Sequence, residues 1–244
     1  MNKQSAELLE KQFGTVVDSP GGVKKLRELI LTLAMQGKLV EQDPDDQPAG
    51  ELIAEIEEEK KRLIAEGKIK KRKPLPEIEP EKVPYELPEG WEWVRLSEIG
   101  QINPKNDIND NIDSGFVPMS LIDDGITNRH SFEIRTWKEI KKGYTHIANG
   151  DIGVAKITPC FENRKSCVFT DLPNGIGAGT TELHIFRNIS PNILHPQYLL
   201  YYIKNPQFID GGNANMTGTT GQQRVPRNYF SETPFPLPLM CQHR

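Results

Sequence analysis

Gly150-Asp151-Ile152-Gly153-Val154-Ala155-Lys156-Ile157-Thr158-Pro159 is the stretch on which the larger part of this chain turns. Gly150-Asp151 supplies turn residues before it and Pro159 a stop after it, so Ile152–Ile157 reads as a short, largely buried strand. Working outward, Trp91–Leu96, Phe116–Leu121, Ser166–Phe169 and Thr180–Phe186 predict further short strands. His195-Pro196 opens a predicted helix through Tyr198, Leu199, Tyr202 and Ile203. Stretches rich in glycine, asparagine and threonine separate these runs and predict loops, where binding function tends to concentrate. The expected fold class is α+β: a mixed α/β domain of short strands and long loops over residues 91–244.

Upstream the pattern changes. Ser19-Pro20 offers a helix start, with Val23, Leu26, Ile30 and Leu33 at helical spacing and Gly37 as a stop. After a loop at Gln42–Pro48, a second helix is expected from Gly50 to Glu66. Its apolar stripe (Leu52, Ile53, Ile56, Leu63, Ile64) is narrow, and Glu57-Glu58-Glu59 precede Lys60-Lys61-Arg62 at ion-pairing offsets. So narrow a stripe predicts a helical hairpin, a coiled-coil-like spacer over residues 1–73 that packs on something else. Residues 74–90 carry prolines at 74, 76, 80, 84 and 88 and read as an extended linker.

Composition restricts the function classes without choosing one. No apolar run reaches 18 residues, and Glu7, Glu10 and Lys11 interrupt the amino-terminal stretch, which argues against a membrane span or a signal peptide. Three cysteines (Cys160, Cys167, Cys241) without a CxxC pair predict no disulfide framework and a cytoplasmic setting. The net charge is −4, and division at Val83 leaves 15 basic and 17 acidic residues on each side. Nucleic-acid affinity resting on released counter-ions would therefore need local clusters or a basic partner.

No bond-making constellation stands out in the sequence. Gly175, Gly177 and Gly179 followed by Thr180-Thr181 lack a P-loop lysine and are expected to form a β-turn. The histidines at 130, 146, 184, 195 and 243 have no metal-ligand spacing, and Ser166 and Cys167 lack a nucleophile-elbow setting. Asp123 or Asp124 upstream of Glu139-Ile140-Lys141 mimics the Asp…Glu-x-Lys pattern of metal-dependent nucleases, but that stretch reads at least as well as a helix. Neither a metal nor a catalytic group is expected.

Several strings occur together in order: Gln36-Gly37-Lys38-Leu39-Val40 with Gln42-Asp43-Pro44, Leu87–Leu96, Gly150–Pro159 with Glu162-Asn163-Arg164-Lys165, Gly179–Leu183, Thr217–Arg227, and Phe235-Pro236-Leu237-Pro238. As an ordered set they resemble the specificity subunits of type I restriction-modification systems. The resemblance implies a non-catalytic protein that reads double-stranded DNA. It also implies docking to methyltransferase subunits and, through them, to restriction subunits. On that basis the chain has no cofactor of its own; S-adenosylmethionine, ATP and Mg²⁺ belong to the partners. Complete family members hold two recognition domains and this chain one, which leaves open a truncated half or a half-length subunit that acts as a homodimer on a palindromic site.

Base reading needs forked donors and acceptors on projecting loops. Thr219, Thr220, Gln222, Gln223 and Arg224, among glycines that permit close backbone approach, supply that chemistry; the same string serves equally as a loop closing the domain. Lys105, Asn106, Arg129, Arg164 and Lys165 are further candidate DNA contacts. Leu26, Ile30, Leu33, Leu52 and Ile56 are candidates for a partner interface, or else for the core of the hairpin.

Overall fold

A computed structural model describes residues 7, 10, 11, 13, 14, 19–71 and 73–240. Cys241 and the closing residues of the chain lie outside the described residues. In chain order the first elements are helices α1 (Gly22–Met35) and α2 (Ala49–Ala65), strand β1 (Glu92–Arg95), helix α3 (Leu96–Ile99) and strands β2 (Gly100–Ile102) and β3 (Asp113–Val117). Strand β4 (Glu133–Thr136), helix α4 (Trp137–Ile140) and strands β5 (Thr145–Ala148), β6 (Ile152–Ala155) and β7 (Ser166–Val168) follow. The rest are strands β8 (Ile176–Gly179) and β9 (Leu183–Asn188), helices α5 (Pro196–Ile203), α6 (Pro206–Ala214) and α7 (Arg227–Glu232), and strand β10 (Pro234–Leu237). No helix among the described residues is long and apolar enough to cross a membrane. The mixed α+β class read from the sequence is the one observed.

The residues form two compact units: one runs to Val94 and resumes at Pro234, and the other is Arg95–Thr233. In the first, glycine stops both helices. Gly37 (φ 64°) follows α1, with its N–H on the Ala34 carbonyl (3.0 Å) and the Lys38 N–H on Leu33 (2.9 Å). Gly67 (φ 71°) closes α2 in the same way, with Lys68 N–H bonded to Leu63 (2.9 Å). Helix α1 starts at Gly22, after Gly21 in the left-handed region, and not at the Ser19 cap expected from the sequence. Only Gly22, Leu31 and Met35 of α1 and Ala49, Leu52 and Ile56 of α2 are buried. The helices thus stand where expected, while a coiled-coil-like pairing between them does not stand out among the described residues. Tyr85 donates to the Met35 carbonyl (2.9 Å) and Trp91 Nε1 to Gln42 Oε1 (2.7 Å), and β1 pairs with β10.

The second unit holds two four-stranded sheets, ordered β2-β9-β6-β7 and β4-β3-β8-β5. The first is antiparallel throughout, with Gly153 opposite Cys167 on one side and Ile185 on the other. In the second, β3 and β8 run parallel with Gly115 opposite Gly177. A Cβ on Gly177 would lie 2.1 Å from the Gly115 carbonyl oxygen, so this pair closes only because no side chain intervenes. That corrects the β-turn expected for the 175–179 glycines. Gly175 does turn (φ 73°), but Ile176–Gly179 forms strand β8, an inner strand of its sheet. Val117, Ile122, Ile147, Cys167, Phe169, Leu172, Leu183 and Ile185, drawn from both sheets and their loops, make one core cluster. Full burial of each aliphatic side chain there contributes about 1.5–3 kcal/mol.

Candidate nucleic-acid interface

Strand β6 delivers the chain into a tight turn that organises its surroundings. Within it, Phe161 N–H bonds the Ile157 carbonyl (3.0 Å), Asn163 N–H bonds Pro159 (3.0 Å) and Lys165 N–H bonds Cys160 (3.0 Å). Phe161 is buried, and a Cβ on Gly212 of α6 would come within 2.3 Å of its ring, so helix α6 can lie against the turn only with glycine at that point. Residues 157–165 are thereby fixed to the unit's interior, and one exposed loop attaches on each flank.

The first flank is a small hairpin, residues 121–131. Ser131 N–H bonds Leu121 (2.9 Å), Ile122 bridges His130, and Asp123 N–H bonds Arg129 (3.0 Å). Its tip is anchored to the turn, since Gly125 N–H donates to the Asn163 carbonyl (2.8 Å). Asn128 adds two links, accepting from Val168 N–H (2.8 Å) and donating to Gln197 (2.8 Å). The Arg129 side chain is 78% exposed and touches Asp123 Oδ2 at 2.9 Å. An ion pair so exposed leaves its guanidinium open to water and to any approaching anion.

The second flank is the loop 217–224. Thr217 and Arg224 exchange backbone hydrogen bonds (3.0 and 2.8 Å), and residues 217–222 between them are exposed, with Gly218 (φ 115°) and Gly221 (φ 79°) shaping the tip. At its base Thr158 N–H bonds the Gln223 carbonyl (3.0 Å) and Val225 N–H bonds Lys156 (2.8 Å), which seats the loop on the turn. Arg224 forks onto Glu182 with two contacts of 2.9 Å. The Arg224 hydrogen bond, ahead of a smaller opposing burial effect, holds the Glu182 carboxyl below its ordinary range. Hydroxyls of Thr219 and Thr220 and the amide of Gln222 are left at the exposed tip, groups able to donate and accept at base edges.

No protein-family model matches this chain. Over 218 residues, 89% of its length, it is 56% identical to the type I restriction enzyme EcoAI specificity subunit of Escherichia coli and 54% identical to the EcoEI specificity subunit of the same organism. This chain is a homologue of part of a type I restriction enzyme specificity subunit. It spans 37% of the EcoAI subunit and 36% of the EcoEI subunit. The crystal structure of the HsdS subunit from Thermoanaerobacter tengcongensis shares its fold at a TM-score of 0.51 and 23% identity, over 64% of this chain and 40% of that one. A second solved structure, described for assembly and conformational transition of the type I R-M system, gives 0.51 and 22% over the same shares.

In the structure the sequence-derived candidates divide. Arg129, Arg164, Lys165, Thr219, Thr220, Gln222, Gln223 and Arg224 all lie on the turn or its flanking loops. Lys105 and Asn106 lie elsewhere. Asn106 Nδ2 donates to the Ile147 carbonyl and its Oδ1 accepts from Arg187 (both 2.9 Å), beside the Arg187–Asp151 pair. That position is at the start of β6, whereas the turn is at its end, roughly 13 Å away for four strand residues. Among the candidate interface residues, Leu52 and Ile56 are buried in the first unit, Leu26 and Leu33 are half-buried, and Ile30 is 39% exposed.

The nuclease-like pattern dissolves in three dimensions. Asp123 pairs with Arg129, Glu139 caps Thr136 at the start of α4 (2.9 Å to its N–H), and Lys141 pairs with Asp110 (2.5 Å). Each group has its own partner, so the three do not converge on one metal. Among the described residues no cluster of three His, Cys, Asp or Glu side chains is placed to hold a metal. Sequence reasoning missed Glu182 as the partner of Arg224, Asn128 and Asn163 as hairpin anchors, and Lys204 altogether. Glu182 and Asn163 had a signal, sitting in the strings Gly179–Leu183 and Glu162–Lys165; Asn128 had none, and Lys204 follows an apolar helix with nothing around it to mark it.

Proposed function

We propose that this chain is a DNA-reading part of a type I restriction-modification system, binding double-stranded DNA at a chosen sequence and directing partner subunits to it. One observation carries the proposal: 56% identity over 218 residues to a protein named a specificity subunit. The surface around the turn suits the task. Residues 217–222 offer hydroxyl and amide groups on a backbone that glycines allow to approach closely, and Arg129 projects from the 121–131 hairpin. The chain makes and breaks no bonds itself, uses no cofactor, and relies on methyltransferase and restriction subunits for S-adenosylmethionine, ATP and Mg²⁺ chemistry. With a net charge of −4, its own phosphate contacts are few and the partners supply most of the positive field.

The test is a binding titration of the chain, alone and with its methyltransferase partner, against duplexes with and without the methylated site. Site-specific binding in the complex, with little salt dependence contributed by this chain, is expected. Methylation or cleavage of plasmid DNA by the purified chain alone, with Mg²⁺ and S-adenosylmethionine, would contradict it.

A further inference from the structure

Lys204 is a fully buried ammonium with no carboxylate among its hydrogen-bond partners. It follows the last residue of α5 and has 0% exposure. Nζ donates to the Gly125 carbonyl at the hairpin tip (2.8 Å) and to the Arg164 carbonyl in the turn (2.9 Å). Both carbonyls belong to residues with left-handed backbone conformations (φ 70° and 60°). A second lysine reinforces the joint: Lys165 Nζ, on the turn, donates to the Ile122 carbonyl (2.6 Å) at the hairpin's base. If the role of Lys204 were packing alone, an unbranched apolar side chain would serve without the desolvation cost of a buried charge. What an apolar residue cannot do is hold two carbonyls from two separate segments at one point.

We propose that Lys204 is a positioning residue for site recognition, clipping the 121–131 hairpin to the 157–165 turn and so fixing where the hairpin's exposed face meets DNA. This rests on the DNA-reading function proposed above. The groups facing the ammonium are Cys167 on β7, Arg164 in the turn, and Asp123 and Asp124 on the hairpin. Burial is the main influence and brings Lys204 down to about 8; Arg164 adds to this, while Cys167 and the two aspartates oppose it. The charge-assisted form of the clip is therefore present below about pH 8 and gives way above it to a neutral amine, whose two N–H donors bond the same carbonyls more weakly. Stability carries the opposite sign. Between about 8 and the ordinary 10.5 the folded chain binds fewer protons than the unfolded one, so this group makes folding more favourable as pH rises. A merely structural lysine would follow the stability curve; a positioning lysine makes discrimination fall while stability rises.

The experiment compares the full chain with its Lys204→Met and Lys204→Gln variants. It reads amide hydrogen exchange at residues 123–129, the ratio of specific to non-specific duplex affinity in the presence of the methyltransferase partner, and Tm from pH 7 to 9.5. The clip predicts faster exchange at the Asp123 and Gly125 amides in both variants, a roughly tenfold loss of discrimination, and non-specific affinity within about twofold of wild type. It further predicts that wild-type discrimination declines above pH 8 while that of Lys204→Met stays flat. Unchanged exchange and unchanged discrimination in a folded variant would overturn it. If wild type fails to discriminate at all, the DNA-reading function is what fails, and the exchange measurement still decides the clip. Should both variants unfold, the wild-type pH series decides: discrimination that rises with Tm overturns the proposal, and opposite trends sustain it.

Discussion

The two loops that flank the turn after β6 are held in different ways. The 121–131 hairpin is tied at its tip, through Gly125, Asn128 and the Lys204 ammonium, and offers one long charged side chain, Arg129. The 217–224 loop is tied only at its base, by the Thr217–Arg224 pair and the Arg224–Glu182 fork, and its tip is a run of exposed hydroxyl, amide and glycine residues. A segment fixed at its tip can present a charge to phosphate at a set position. A segment fixed at its base retains the freedom to fit its polar groups to base edges. On the DNA-reading function proposed above, the two loops would divide the task, one positioning and the other reading.

The largest effect that breaks this comparison removes what both loops share. Phe161→Ala empties the centre of the turn and should destabilise the second unit by about 3–5 kcal/mol, seen in denaturant titration, with both loops losing hydrogen-exchange protection together. Asn128→Ala should act on the hairpin alone, costing about 1–3 kcal/mol because the Val168 N–H loses its acceptor, with the 217–224 loop unaffected.

The pH dependence sharpens the contrast further. Glu182 lies below its ordinary value of 4.5 because of Arg224, so its fork is intact above that value and is lost as pH falls through the depressed one. Acid should therefore release the loop at 217–224 first and alkali the hairpin clip first, which histidine-independent exchange or fluorescence probes on each loop can follow. Smallest in stability is Gln222→Ala, which should leave unfolding free energy within about 0.5 kcal/mol of wild type. It should nonetheless change which base is preferred at one position of the site, as a panel of single-substituted duplexes would show.

Much of this was legible in the sequence because it is local. The Ile152–Ile157 run ends in strand β6, His195 caps the helix that Pro196 opens, and Gly37 stops α1 through backbone geometry that a residue without Cβ adopts freely. Strand β8 was misread because glycine signals turns locally, whereas Gly177 serves a close approach to Gly115, a partner 62 positions earlier in the chain. The site was legible as a set of strings and not as an arrangement. Arg224 and Lys165 read as open cations, yet one forks onto Glu182 and the other caps carbonyls of Met119 and Ile122. Which cation faces water depends on tertiary partners dozens of residues away, and Lys204, wholly internal, had no local mark at all.

The function proposed above requires that this chain select a DNA sequence. The most direct measurement is binding of the chain, with its methyltransferase partner, to a pool of randomised duplexes, with sequencing of the bound fraction. Enrichment of one defined motif about a thousandfold over the background, lost when residues 217–222 are replaced by a glycine-serine loop in a chain that stays folded, is the predicted result. A flat profile for the wild-type complex, or enrichment that survives replacement of that loop and of Arg129 together, would contradict it.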